Sequence, residues 1–180
     1  MNMTIRPVSK KDAADILAIY APYITDTVIT FETEVPTIEE LTERIEKIKN
    51  QYPYLVCEVD GKVVGYAYAS KHRTRSAYRY SVDVSIYVAP HYHHKGIGKA
   101  LYTNLFGSLN NYDYYSAYAG ITLPNDKSIG LHKSFGFTEV GVYHNVGFKN
   151  GKWLDVIWLE KQLKEYSIPP MTNRNKGTKL

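Results

Sequence analysis

The stretch from residue 81 to residue 101 contains the residue types of a phosphate-binding turn. A strand-like segment, Ser81–Val88, is followed by Pro90 and then by a basic, glycine-containing turn in which a helix begins at about Gly98. The first turn of a helix has unpaired backbone N–H groups and a dipole that favours anions, and glycine lets a phosphate approach them. Lys95 and Lys99 add positive charge. We therefore predict that this turn binds a phosphate or a pyrophosphate.

Two well-known phosphate-binding patterns do not fit this turn. A P-loop requires Gly-x-x-x-x-Gly-Lys-Ser/Thr, which the sequence lacks, and the dinucleotide fingerprint requires a third glycine where Leu101 stands. By itself, Gly96-Ile97-Gly98 is equally compatible with a tight strand-to-helix turn flanked by solvated lysines. The interpretation therefore depends on the elements around the turn.

Strand and helix signals alternate along the chain, with no linker or repeat between them. Asp60-Gly61 and Asn150-Gly151-Lys152 separate runs of β-forming residues and predict two hairpins. Helices are predicted after the capping boxes at Ser9 and Thr37, from about Gly98 to Leu109, and from Asn125 to Phe135. The predicted strands are Thr4–Pro7, Tyr54–Val59, Val63–Ser70, Ser81–Val88, Ala117–Thr122, Thr138–Phe148 and Trp153–Glu160. We predict a single α/β (α+β) domain with a mixed central sheet of about six to seven strands, flanked by about four helices.

Composition and charge limit the possible partners. The chain has 180 residues and a net charge of +4, and residues 164–180 contain four basic residues against Glu165 alone, which gives +3. We predict a domain over residues 1–163, a flexible basic tail over 164–180, and no nucleic-acid partner, since the body has no broad basic face. The sequence has no run of about 18 apolar residues and no apolar leader, which predicts a cytoplasmic protein without a membrane partner.

No metal site is predicted. Cys57 is the only cysteine and lies in an apolar run, which favours a buried thiol. His91, His93 and His94 are close in sequence, but no carboxylates accompany them. The phosphate-binding turn explains this histidine cluster better than a metal does.

Several motifs in a fixed order make the chain resemble a known superfamily. His93-His94-Lys95-Gly96-Ile97-Gly98 is similar to Arg/Gln-x-x-Gly-x-Gly/Ala, the pyrophosphate loop of the GNAT superfamily of N-acetyltransferases. The segment 125–137, with Asn125, a helical histidine and a closing Gly-Phe, resembles a second motif of that superfamily. Segments 73–83 and 146–155 resemble the substrate loop, catalytic strand and C-terminal hairpin of its phosphinothricin or methionine sulfone acetyltransferase group. The resemblance covers roughly residues 3–163.

The resemblance implies that acetyl-CoA is the acyl donor. Backbone groups of the strand would bind the pantetheine arm, the turn would bind the pyrophosphate, and Asn125 would lie near the pantetheine. The cofactor-binding residues implied in this way are Ile86, Tyr87, Val88, His94, Lys95, Gly96, Ile97, Gly98, Lys99, Asn125 and Ser128. One departure concerns this region, because His93 stands where the family has arginine or glutamine.

The resemblance also indicates two catalytic residues. Asp83 lies on the strand face opposite Val82 and Val84 and is the candidate base that accepts a proton from the attacking amine. The subgroup usually has glutamate there, and aspartate is one methylene shorter, so Asp83 acts either directly or through a bridging water; pairing with a nearby arginine is the structural alternative. His132 stands where many relatives have a tyrosine that protonates the departing thiolate. It is a candidate acid, an alternative base or a helix histidine satisfied by hydrogen bonds.

The acceptor implied by the subgroup is a small amine that also carries an anion, such as phosphinothricin, methionine sulfone or methionine sulfoximine. A guanidinium suits a planar acid, so arginines of the substrate loop are expected to bind it. The expected substrate-binding residues are Phe31, Arg73, Arg75, Ser76, Ala77 and Tyr78. Solvated loop arginines and aromatic core packing are the structural alternatives.

Other functions remain compatible with the sequence. One is acetylation of peptide or protein N-termini, and another is a CoA-binding regulatory module without catalysis. Relatives in the subgroup are typically homodimers, and the C-terminal hairpin with Trp153 and Trp158 offers an apolar contact for a second copy.

Overall fold

The computed structural model describes residues 2–169, and the fold within them is a mixed sheet with helices on both faces. Seven strands in the order β1-β2-β3-β4-β5-β7-β6 form the sheet. The strands are β1 Met3–Pro7, β2 Tyr54–Val59, β3 Lys62–Lys71, β4 Ser81–Val88, β5 Ser116–Thr122, β6 Thr138–Lys149 and β7 Lys152–Gln162. The helices are α1 Ala13–Thr25, α2 Ile38–Lys49, α3 Ile97–Leu109 and α4 Asp126–Ser134. The predicted fold class is confirmed.

Local sequence signals explain where several elements begin and end. Thr37 Oγ1 accepts a hydrogen bond from the Glu40 N–H at 3.1 Å and Glu40 Oε2 accepts one from the Thr37 N–H at 2.9 Å, so the capping box starts α2. Both residues of the Asp60-Gly61 turn have positive φ, 49° and 84°, as a two-residue hairpin requires. These short-range interactions make the boundaries readable from the sequence.

Two apolar layers fix the helices to the sheet. On one face α1 and α2 contribute Ile16, Ile24 and Ile45, which pack with Val56 of β2. On the other face Leu101, Leu105 and Leu109 of α3 pack with Val82 of β4, and partly buried residues of α4 join them. The sheet is therefore buried on both sides along its central strands.

The feature that positions the site is a split between β4 and β5. These strands run parallel and pair only where Ser81–Asp83 lies beside Ser116–Tyr118. Beyond Asp83 the two strands diverge, although β4 stays paired with β3 as far as Val88. The sheet thus has an opening whose inner end is at Asp83.

The chain after β7 keeps contacts with the body for several residues. Tyr166 stacks on Tyr115 with ring centroids 6.2 Å apart, and its hydroxyl bonds to Ser116 Oγ at 2.9 Å. The tail was predicted to start at residue 164, and residues 170–180 of that prediction lie outside the described residues.

Candidate active site

A cleft of about 460 Å³ runs between β4 and the N-terminal ends of α3 and α4. Its lining includes Ile86, Tyr87, Val88, His94, Gly96, Ile97, Gly98, Lys99, Asn125 and Ser128. These are all of the predicted cofactor-binding residues except Lys95, whose Nζ lies 4.8 Å from the centroid of the Tyr92 ring. The structure therefore brings two distant motifs, the turn and the start of α4, to one cleft.

The N-terminus of α3 faces this cleft with its backbone accessible. Gly96 caps the helix in the left-handed region, with φ of 80°, and a Cβ there would have no heavy atom within 4 Å. Gly98 serves packing as well, because a Cβ there would lie 3.2 Å from Leu131 Cδ2 of α4. Since the first-turn amides of a helix have no intrahelical acceptor, this end can bind an anion.

Only some backbone groups of β4 point into the split. Ala89 N–H donates to Val64 O, and strand alternation then directs the backbone of Tyr87 to β3 and that of Ile86 and Val88 to the split. The expectation that Tyr87 offers backbone groups to the pantetheine arm is therefore corrected, although its side chain lines the cleft. Strand pairing with β3 is the physical reason.

His93, the departure from the family pattern, interacts with this same strand. Its Nε2 donates to Val88 O at 2.9 Å, and the Tyr23 hydroxyl donates to the same carbonyl at 2.6 Å. The Val88 carbonyl is thus satisfied inside the protein. Within residues 2–169, the backbone of Ile86 and the Val88 N–H face the split beyond the paired part of β4 and β5.

His132 of α4 is buried, and both of its ring nitrogens are hydrogen-bonded. Nδ1 donates to Ser128 O at 2.7 Å, so in the neutral ring Nε2 is the acceptor for the Tyr102 hydroxyl, also at 2.7 Å. Burial lowers the pKa of His132 below its ordinary value, against the effect of the hydrogen bond to Ser128. The ring is therefore neutral at neutral pH and has no nitrogen free for a ligand.

A second cavity, of about 60 Å³, lies inside the split itself. It is lined by Ser85 of β4, Gly120 of β5, Tyr102 and His132, and it shares Ile86 and Asn125 with the larger cleft. Ser85 is two residues beyond Asp83 on the same strand face, and Gly120 is two beyond Tyr118. The cavity therefore leads from the cleft toward Asp83.

Asp83 lies at the inner end of the split, and within residues 2–169 its side chain has one hydrogen-bond partner, His72. His72 Nδ1 lies 2.6 Å from Asp83 Oδ1. Burial raises the pKa of Asp83 above its ordinary value, while the hydrogen bond from His72 and the charges of His72 and Arg73 lower it. The carboxylate thus combines partial desolvation with a bonded imidazole.

His72 is held by aromatic side chains from three other elements. It stacks on Tyr118 of β5 with centroids 4.4 Å apart, and its edge contacts are Tyr78 at 5.7 Å and Trp158 of β7 at 6.2 Å. The Arg73 guanidinium lies 5.2 Å from the Trp158 ring centroid. We refer to His72, Arg73, Tyr78, Asp83, Tyr118 and Trp158 as the His72 cluster.

Sequence reasoning missed His72, yet a signal for it exists. In the antiparallel pairing of β3 with β4, Ser70 lies opposite Asp83, so His72 is the diagonal neighbour of Asp83 on the same face. The register of these two strands would have placed the imidazole beside the carboxylate. Motif matching did not use register and therefore overlooked it.

The other predicted substrate-binding residues lie on two loops. Ser76–Tyr78 form a short 3-10 turn in the β3–β4 connection, and Arg75, Ser76 and Ala77 are exposed. Within residues 2–169, no hydrogen bond or ion pair involves the Arg75 side chain, whereas Arg73 joins the His72 cluster. Of the two predicted arginines, the structure brings Arg73 to Asp83.

Phe31 lies on the α1–α2 loop and covers Gly147 of β6. A Cβ at residue 147 would lie 2.2 Å from Phe31 Cε2, so only glycine permits this contact. Lys149 Nζ donates to Thr30 O at 2.8 Å and Thr122 Oγ1 to Ile29 O at 3.3 Å, which fixes the loop over the split. Ile29 of this loop lines both cavities.

Trp158 and Trp153 have different environments. Trp158 packs against Gly120, where a Cβ would lie 3.1 Å from the indole, and thereby belongs to the His72 cluster. Trp153 is 65% exposed. Of the two tryptophans expected to offer an apolar contact to a second copy, Trp153 is the exposed one, because Gly120 makes room for Trp158 over β5.

A family model of the acetyltransferase (GNAT) domain matches residues 5–158. The chain belongs to this family of acetyltransferases. The GNAT chain is therefore an enzyme of the acyltransferase class, and the superfamily expected from its motifs is confirmed.

Several proteins and solved structures similar to the GNAT chain are named as acetyltransferases of small amino-acid analogues. It is 37% identical to the phosphinothricin N-acetyltransferase of Streptomyces viridochromogenes, over 92% of this chain and 90% of the relative. It is 36% identical to an L-methionine sulfoximine/L-methionine sulfone acetyltransferase of Salmonella typhimurium, over 93% and 98%. A crystal structure of a phosphinothricin acetyltransferase from Sinorhizobium meliloti in complex with acetyl-CoA aligns with a TM-score of 0.88 and 37% identity, covering 98% of this chain and 95% of that one.

The residues of the GNAT chain fit a CoA thioester. The cleft offers a helix N-terminus whose capping glycine leaves space, and the split offers strand backbone groups without a partner strand. These are the donors that a diphosphate and a pantetheine amide chain require. Within residues 2–169, the structure has no group of three His, Cys, Asp or Glu side chains that could hold a metal ion, and no helix there is long and apolar enough to cross a membrane.

Proposed function

We propose that the chain transfers an acetyl group from acetyl-CoA to the amine of a small amino-acid-like substrate of the phosphinothricin, methionine sulfone or methionine sulfoximine type. The observation that carries this proposal is the split beyond Asp83. It joins a helix N-terminus suited to a diphosphate with a partly buried carboxylate suited to an amine. The names of the relatives support the choice of acceptor.

The residues of the cleft would divide the cofactor between them. The backbone of Ile86 and the N–H of Val88 would bind the pantetheine amides, and the α3 amides from Ile97 to Lys99 would bind the diphosphate, with His94 and Lys95 beside them. Asn125 and Ser128 would line the thioester end of the cleft. When bound, the cofactor supplies the activated acyl group, and the protein supplies orientation.

Asp83 supports the proton chemistry of the reaction. An α-amino group has a pKa of about 8 and must lose a proton before it can attack a thioester. Burial raises the pKa of Asp83, which makes it a better proton acceptor than a solvated carboxylate. In this proposal the Asp83 carboxylate, with the group bonded to it, receives the proton of the amine.

The acceptor's carboxylate would bind arginine. Arg73 is favoured, because its guanidinium stacks on Trp158 and acts on Asp83, whereas the Arg75 side chain makes no hydrogen bond or ion pair within residues 2–169. Phe31 and Tyr78 would form apolar walls, and the turn with Ser76 and Ala77 would close the pocket. Because the α1–α2 loop is fixed to β6 through Lys149 and Phe31, a small acceptor fits better than a peptide chain.

His132 is proposed to act as a positioning residue. Its neutral ring accepts the Tyr102 hydroxyl and thereby fixes that side chain at the wall of the small cavity. A direct role as acid would require a ring nitrogen that is not already bonded. The hydrogen-bonding pattern therefore supports the positioning role.

The oligomeric state, the localisation and the absence of other partners are also part of the proposal. Phe148 and Trp153 pair across the β6–β7 hairpin with centroids 5.3 Å apart and are more than half exposed, so this surface would contact a second copy in a homodimer. Use of acetyl-CoA and a free Cys57 fit a cytoplasmic enzyme. The charge distribution favours neither a nucleic-acid nor a membrane partner, and residues 164–180 remain proposed as a basic tail.

The test is a thiol-release assay with acetyl-CoA and a panel of phosphinothricin, methionine sulfone, methionine sulfoximine and an N-terminal alanyl peptide. We expect turnover of at least one small acceptor and little of the peptide. Replacing Arg73 by Gln should raise the KM for the acceptor about tenfold or more, since a charge-assisted hydrogen bond is lost, and Arg75→Gln should change it less. Turnover of the peptide alone would refute the proposed acceptor class.

A further inference from the structure

We propose that His72, bonded to Asp83, is the group that removes the proton from the attacking amine. This inference rests on the proposed acetyl transfer to an amine and assigns its base to the imidazole instead of to the carboxylate. Asp83 becomes the residue that orients the ring. The pair replaces a single longer acid side chain.

The hydrogen bond fixes which nitrogen of His72 is basic. An ionised Asp83 carboxylate only accepts, so at 2.6 Å from Oδ1 the Nδ1 atom carries the hydrogen. In the neutral ring the lone pair then lies on Nε2. Among residues 2–169 no group hydrogen-bonds to Nε2. This contrasts with His132, both of whose nitrogens are engaged.

The aromatic side chains around His72 fix the orientation of its imidazole ring, which extends further from the strand than the Asp83 carboxylate. The side chain of His72 is only 10% exposed, and Tyr118 stacks on one face of the ring while Tyr78 and Trp158 contact it edge-on. The imidazole extends beyond Asp83 by the hydrogen bond and the width of the ring. It thereby supplies the length that aspartate lacks relative to glutamate.

The position of the pair at the inner end of the split suits attack on a thioester. Asp83 and Tyr118 are the last residues at which β4 and β5 pair with each other. On the Asp83 face of the sheet the next residues, Ser85 and Gly120, line the small cavity about 7 Å further along each strand. Within residues 2–169, the titratable side chains that contact the ring are Asp83, Tyr78 and Tyr118, and the Arg73 guanidinium donates to the backbone carbonyl of His72 at 3.0 Å. Arg73 supplies the positive charge at this site and, in the proposed function, binds the carboxylate of the acceptor.

The step balances without another reactant. The neutral amine forms a C–N bond to the thioester carbonyl carbon, and the C–S bond breaks with its electron pair going to sulfur. The amine nitrogen loses a proton to His72 Nε2. That proton leaves later for the thiolate or for water, so the products are an amide and CoA thiol.

The experiment compares His72→Phe and His72→Gln with the wild type in the thiol-release assay, after turnover of one small acceptor has been measured for the wild type. Phenylalanine retains a ring to stack on Tyr118, and glutamine retains a donor for Asp83. Because positioned bases contribute about 10²–10⁴-fold, we expect kcat to fall about 100-fold or more in both variants while calorimetry gives an unchanged Kd for acetyl-CoA. His144→Gln is the matched control, because His144 also bonds a carboxylate, Asp155 at 3.0 Å, but is 73% exposed.

Two further measurements separate a base from a packing residue. In the first, added imidazole should restore part of the rate that His72→Gly loses, whereas it should not raise the rate of the control His144→Gly. In the second, the acidic limb of the kcat/KM pH profile should be lost in His72→Phe. A kcat within about threefold of the wild type in His72→Phe would overturn the proposal and leave Asp83 as the base. If the wild type turns over no acceptor in the panel, the proposed function fails instead, and that result is distinguishable because it precedes any variant.

Discussion

The two ends of β4 offer different kinds of groups to the ligands proposed for them. At the Val88 end, the cleft uses backbone groups, two glycines and a helix terminus, with few side chains that carry function. At the Asp83 end, the His72 cluster uses side chains from β4, β5, β7 and the β3–β4 connection. Backbone binding needs only a short motif, whereas side-chain chemistry needs several elements in register. In the proposed function, the Val88 end would hold the cofactor and the Asp83 end would position the acceptor.

The largest difference between the two ends of β4 is expected when Asp83 is replaced. Asp83→Asn should lower kcat about 100-fold or more, because the proton acceptor or its orienting charge is lost. The Kd for acetyl-CoA should stay the same, since Asp83 does not line the cleft. Steady-state kinetics and calorimetry check both expectations. An equal loss of cofactor affinity would mean that the two ends of β4 are not separate sites.

The same variant has a predicted effect on stability. Because burial raises the pKa of Asp83, its contribution to the free energy of unfolding is present at low pH and is lost as pH rises through the raised pKa. Asp83→Asn should therefore lose less stability than the wild type as pH rises above 3.8, the ordinary pKa of the carboxyl group. Urea unfolding at several pH values measures this, and an identical pH dependence would contradict it.

A smaller effect is expected from the other end of the strand. Gly96→Ala places a Cβ at φ of 80°, which costs about 1–2 kcal/mol and should weaken acetyl-CoA binding about tenfold. Gly107→Ala is the control, because Gly107 lies in α3 with no heavy atom near a new Cβ. Calorimetry with acetyl-CoA provides the readout. An unchanged affinity in Gly96→Ala would argue against the α3 terminus as the diphosphate site.

Gly120→Ala should affect binding of the acceptor more than binding of acetyl-CoA. The new Cβ would meet the Trp158 indole at 3.1–3.4 Å and displace it toward His72 and Arg73. Overpacking of about 1 kcal/mol would raise the KM for the acceptor several-fold, with little change in the Kd for acetyl-CoA. The ratio of the two effects is the measurement. A change in cofactor affinity alone would reverse the assignment of Trp158.

The smallest expected effect concerns His132. Because burial lowers its pKa from the ordinary 6.5, its stabilising contribution is present above pH 6.5 and is lost as pH falls below that value toward the lowered pKa. Chemical unfolding at pH 8 and pH 5.5 should show this loss in the wild type and less of it in His132→Gln. An equal loss in the variant would assign the acid sensitivity to other groups.

Much of the fold was predictable because its signals are local. The Thr37 capping box, the Asp60-Gly61 turn and the Gly-x-Gly at the start of α3 each act within a few residues, and the structure has each of them where the pattern indicated. The cofactor cleft followed for the same reason, since helix termini and glycines bind phosphate by short-range geometry. Tyr87 was the exception, because strand pairing with β3 turns its backbone away from the split.

The chemistry at the other end was decided by tertiary structure. The sequence alone determined that a strand bearing Asp83 leads into a basic, glycine-containing turn at the start of a helix, because these features lie within about twenty residues of one another. Three contacts depend on strand register and helix packing between residues distant in the chain. They are the hydrogen bond of His72 to Asp83, the packing of Trp158 on Gly120, and the hydrogen bond of His132 to Tyr102. Such contacts are set by which faces meet, and a pattern read along the chain does not contain that information.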